Sequence, residues 1–116
     1  MGVYNRSNGQ WLAERLLTAT SFLRRFQGLM LTHSLPSDHA LLIRPCRSVH
    51  TFFMRYTIDV LYLDEDGTIV GMDERLVPGR IGSRFAGARS VIELPEGKIR
   101  STGTEVGQMV QFVNKF

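Results

Sequence analysis

Cys46-Arg-Ser-Val-His-Thr-Phe-Phe-Met-Arg-Tyr-Thr-Ile-Asp-Val-Leu-Tyr-Leu-Asp-Glu-Asp-Gly-Thr-Ile-Val70 is the stretch on which the fold turns. Val49 to Arg55 alternates. An extended backbone there would place His50, Phe52 and Met54 on one face and Val49, Thr51 and Phe53 on the other. Ile58 to Leu63 is apolar at every position except Asp59 and reads as a buried strand. Asp64-Glu-Asp-Gly67 is a turn, opened by an aspartate and closed by a glycine that tolerates left-handed backbone. Thr68 to Met72 returns as the partner strand, so the spacing predicts a hairpin.

Toward the N-terminus, Ala40 to Ile43 is a short strand stopped by Pro45, which cannot donate to a ladder. Phe22, Leu23, Phe26, Leu29 and Met30 recur at helical spacing behind a cap at Thr20 or Ser21, and Gly28 ends that helix. Trp11 to Thr18 alternates weakly and predicts a first strand. Residues 1–10 are polar and read as a flexible N-terminus. Toward the C-terminus, Pro78 to Arg89 has little periodicity and reads as an irregular loop. Ser90 to Leu94 is a strand stopped by Pro95-Glu96-Gly97, residues 97–103 hold a short helical turn, and Val106 to Val113 closes the sheet. The expectation is a single domain over residues 11–116. Its class is α+β and β-rich: a curled antiparallel sheet or small barrel, one helix in the N-terminal half, and a short helical turn near the C-terminus.

With 116 residues, 43% of them hydrophobic, the chain can bury one core, and a net charge of +3 does not by itself demand a polyanionic partner. Arginine makes up nearly all the basic side chains, and it suits bidentate recognition of carboxylate or phosphate. One cysteine excludes an internal disulfide framework. No apolar run approaches the roughly 20 residues of a membrane span, and the start of the chain has no apolar leader. A cytoplasmic protein without a membrane span is expected.

Three motifs carry a family likeness. They are Arg25-Phe-Gln-Gly-Leu-Met30 with Leu35-Pro36; Cys46 to Met54 with Ile58-Asp59-Val60 and Asp66 to Val70; and Val91-Ile-Glu-Leu-Pro-Glu-Gly97 with Gly107. In order and spacing they resemble the DUF192 family of uncharacterised bacterial and archaeal proteins, from Leu12 to Phe112. The resemblance implies a compact β-rich domain, a link to secretion or pilus systems, and no agreed catalytic residues. Ile58 stands where other members often have proline, and a different local turn is expected there.

Candidate chemistry centres on the quoted stretch. Cys46 and His50 could act as nucleophile and base, with Arg44 and Arg47 favouring the thiolate. Four residues of extended chain span about 13 Å, however, so the pair would need a bend. Cys46, His50 and Met54 form a soft donor set, yet the tight four-ligand spacing of structural zinc is missing; no metal and no cofactor is expected. Asp59 is the third catalytic candidate. On its apolar face it must pair, with Arg25 or Arg55, or bind backbone N–H groups that lock a turn. Arg80, Arg84 and Arg89, with Phe85 between them, could hold phosphate or single-stranded nucleic acid, but no nucleic-acid motif accompanies them. The leading expectation is a binding or accessory module for an unknown protein or a small acidic ligand. His50 and Thr51 would supply polar contacts, Phe52, Phe53 and Met54 apolar area, and Arg80 and Arg84 charge. The alternatives are a thiol enzyme using Cys46 and His50, and phosphate or nucleic-acid binding through residues 80–89.

Overall fold

Strand β5 (Ile58–Leu63) is buried at all positions. It pairs antiparallel with both β6 (Ile69–Leu76) and β7 (Ser90–Pro95), and the sheet is covered on both faces. The computed structural model describes residues 1–30 and 32–114, without the side chains of residues 22, 23 and 26. The parts expected of Phe22, Leu23 and Phe26 in the helical spacing therefore lie outside the described residues. β3 (Arg15–Ala19) and β4 (His39–Ile43) complete a five-stranded sheet of order β3-β4-β7-β5-β6, in which only the β3–β4 pair is parallel. Helix α1 (Phe22–Gln27), capped by the Ser21 side chain, makes part of the crossover between them. A second sheet of three strands has the order β2 (Trp11–Ala13), β1 (Gly2–Asn5), β8 (Val110–Val113). Helix α2 (Lys98–Thr102) follows β7.

Three expectations are corrected. The sheets do not close into a barrel: among the described residues β3 and β6 end the larger sheet. The first strand is two strands, β2 and β3, which belong to different sheets. Residues 2–5, read as flexible, form β1, the middle strand of the smaller sheet, with Val3 and Asn5 buried. The polarity of that segment misled because Asn5 is a structural polar residue. Its amide donates to Thr104 and Gln108, and its Oδ1 accepts from the backbone of Ser7 and Asn8.

Alternation along the larger sheet sorts its side chains into two cores. Leu61, Leu63, Ile92 and Leu94 pack toward the smaller sheet with Val3, Leu12 and Val110. Val60, Tyr62, Val91 and Ile43 face the other way, under two long loops, residues 44–57 and 77–89. Phe85 of the second loop lies over Gly71 and against Tyr62, with ring centroids 4.8 Å apart. A Cβ at Gly71 would stand far closer to carbons of the Phe85 ring than contact allows. Gly71→Ala is therefore expected to destabilise by about 1–3 kcal/mol, read as a lowered Tm. An unchanged Tm would show that the loop does not pack there.

Candidate functional site

The residues expected to alternate as a strand from Val49 to Arg55 do not form one. The segment makes an isolated bridge from His50 to Ile81 and turns at Phe52–Phe53, where Phe53 has φ 64°. Thr51 explains why. Its backbone N–H donates to the Arg80 carbonyl (2.8 Å). Its hydroxyl donates to the Val77 carbonyl (2.6 Å) and accepts from the Arg80 N–H (2.9 Å). One side chain thus ties the two loops together without a ladder. Further bonds run from Gly82 N–H to the Val49 carbonyl and from Cys46 N–H to the Arg89 carbonyl. The loops become a bonded layer over the sheet.

Between this layer, the end of α1 and the sheet lies a cleft of about 270 Å³. Ile43, Leu29 and Val49 give it apolar walls, Arg25 brings a positive charge, and Cys46, His50 and Glu93 line it. Glu93 sits on β7, the central strand of the sheet, on the same face as Val91. It is 2% exposed, and among the described residues its Oε1 has no hydrogen-bond partner. Burial pushes its pKa up to about 8, so at neutral pH it is mostly a protonated carboxyl. The backbone passes closely over it at Gly28, where a Cβ would stand 3.3 Å from Oε1.

Cys46 is partly buried, and its Sγ–H donates to the Ser48 carbonyl (3.0 Å). Burial raises its pKa above the ordinary thiol value, so the thiol is protonated at rest, contrary to the activation expected from Arg44 and Arg47. His50 stacks on Phe52 with centroids 5.3 Å apart. Among the described residues, no group of three or more His, Cys, Asp or Glu side chains is placed to hold a metal ion.

The structure separates the other candidates. Asp59 faces the opposite side of the sheet, toward the core that holds Leu61 and Leu63. Its Oδ1 accepts from Arg75 N–H and its Oδ2 from Ile99 N–H, both at 2.9 Å. The carboxylate closes the irregular pairing of β5 with β6 and caps α2, whose own cap residue, Gly97, has no side chain to do so. It does not pair with Arg25 or Arg55; Arg25 lines the cleft, and Arg55 donates to His33 (2.6 Å). Thr51 and Met54 are buried, so they make loop and core contacts rather than a surface for ligand. Phe53 projects into solvent. Arg80 lies at the Thr51 clamp, whereas Arg84 lines a groove with Arg47 and Arg89.

Glu93 was not among the candidate site residues picked from sequence. Glu93 was legible on the criterion that selected Asp59, since Val91-Ile-Glu-Leu94 also embeds one carboxylate in an apolar strand.

The DUF192 family model, described as uncharacterised ACR, matches residues 3–112. A UPF0127 protein of Thermococcus sibiricus is 34% identical over 116 residues, covering 93% of this chain and 72% of its own length. A UPF0127 protein of Pyrococcus horikoshii is 35% identical over 117 residues, covering 97% and 98%. The crystal structure of a protein of unknown function from Novosphingobium aromaticivorans is similar in fold, with a TM-score of 0.84 at 16% identity, covering 97% of this chain and 84% of that one. No described helix is long and apolar enough to cross a membrane.

Proposed function

The chain belongs to the DUF192 family, and from that premise we propose that it is a binding module whose cleft captures an acidic or hydrogen-bond-accepting group of a small ligand or partner chain. The observation that carries this reading is Glu93, a buried carboxyl whose Oε1 has no partner among the described residues. Such a group costs stability and calls for an explanation beyond packing. In its protonated form it donates an O–H to an incoming carboxylate, much as two carboxyls share a proton. Arg25 supplies the opposite charge, and Ile43, Leu29 and Val49 take the apolar body of the ligand. Thiol chemistry at Cys46 has weaker support, because the resting Sγ–H is engaged with the Ser48 carbonyl and its pKa is raised.

The test is an NMR titration of acetate, butyrate and hexanoate into isotope-labelled protein below pH 8. Amide shifts are expected at residues 25–29, 43–50 and 93, with affinity rising roughly fourfold per added methylene. Binding should fade above pH 8, persist in Glu93→Gln, which retains a donor, and vanish in Glu93→Leu. Shifts that are absent, or equally large in Glu93→Leu, would remove the cleft as the site.

A further inference from the structure

The outer face of the loop layer is distinct from the cleft. Residues 44–57 and 77–89 contain Arg44, Arg47, Arg55, Arg80, Arg84 and Arg89 and no aspartate or glutamate. All six arginines are exposed, and none forms an ion pair with a carboxylate among the described residues. Arg44 and Arg89 share a groove with Asp64 and Glu65. Arg47, Arg55, Arg80 and Arg84 lie outside that groove and in no ion pair among the described residues; Asp73 reaches the second loop, but its carboxylate accepts from Ser83 and Tyr62. Beside the Thr51 clamp the same loops expose apolar side chains: Phe53 at 82%, Ile81 at 70%, and Val77 and Phe52 at about two-fifths. Phe53 holds φ 64°, a left-handed conformation that is costly for a bulky residue, yet its ring gains almost no burial in return.

We propose that this face docks on an anionic phospholipid surface, with Phe52, Phe53, Val77 and Ile81 entering the headgroup region and the arginines lying on the phosphates. Mixed aliphatic and aromatic side chains exposed on the same loops as these cations suit an interface that is apolar below and negative above. Much of the loop backbone is already bonded internally, from Thr51 to Arg80, Gly79 to Thr51, Met54 to Thr51 and Gly82 to Val49. Those polar groups can leave water at little cost. A second copy of the chain would bring the same positive charge to the contact, which disfavours self-association through this face.

The test is co-sedimentation with vesicles of phosphatidylcholine alone or mixed with phosphatidylglycerol. Binding is expected only to the anionic vesicles and should weaken with added salt. Phe53→Asn suits the left-handed backbone and should keep or raise the Tm while weakening binding roughly tenfold. Arg80→Gln and Arg84→Gln should each weaken it roughly fivefold. Failure to sediment with phosphatidylglycerol at low salt would overturn the proposal, as would equal binding to neutral vesicles. It would also fall if Phe53→Asn bound like the parent protein while poly-glutamate or a single-stranded oligonucleotide competed, since the face would then be a polyanion site. None of these outcomes depends on the carboxylate titration of the cleft.

Discussion

Glu93→Gln is expected to stabilise the protein markedly at pH 8 and hardly at all below pH 4.5. The unfolded chain releases the Glu93 proton near 4.5, whereas the folded protein holds it to about 8. Between those values the folded state binds more protons, so stability falls as pH rises through that window and levels off above it. Each unit of difference is worth about 1.36 kcal/mol, which places the full loss on the order of 5 kcal/mol. Glutamine has the same shape and no proton to lose, so the variant should show no such slope. Urea denaturation of both proteins across the window measures it. Parallel pH profiles would mean that Glu93 ionises normally in the fold and that the cleft is wet. If the slope appears, the fold carries a destabilising carboxyl at the centre of its larger sheet, which fits a site maintained at the expense of stability.

Asp59→Ala is expected to cost about 3 kcal/mol, because it strands two backbone N–H groups, that of Ile99 in a buried position and that of Arg75 in a partly buried one. The loss should be local before it is global. Amide hydrogen exchange is expected to quicken first at Ile99 and Arg75, then along α2, while the Cys46–Glu93 cleft on the far face keeps its carboxylate response. Stability within about 0.5 kcal/mol of the parent would show that water replaces the carboxylate. Loss of cleft binding in a variant that remains folded would return Asp59 to the functional site.

Asp59 and Glu93 show how far residue patterns carry. Each is one carboxylate in an apolar strand, and in each case the pattern says only that the group needs a special environment. Asp59 received two backbone donors and became an anchor; the Oε1 of Glu93 has none among the described residues, and Glu93 lines the cleft. Which outcome applies depends on what lies across the sheet face, and those neighbours come from segments distant in sequence. The Val49–Arg55 segment teaches a related point. The expected faces hold only as far as Thr51: Val49 and Thr51 are buried, but Phe53 is exposed and Met54 buried, the reverse of an unbroken alternation. The period is lost where the chain turns at Phe53 (φ 64°), because Thr51 bonds to the facing loop and no ladder holds the backbone extended.

The amino-acid pattern alone determined the β5–β6 hairpin, the apolar character of β5, the stop after β4 and the family likeness, because turn chemistry and side-chain period are properties of neighbouring residues. Only the tertiary structure decided that β3 runs parallel to β4, that residues 2–5 join a second sheet, and that Cys46 and His50 share a cleft with Glu93 while Asp59 lies behind it. Strand order and facing are set by contacts between remote segments, and a one-residue change of register would turn every side chain to the other face.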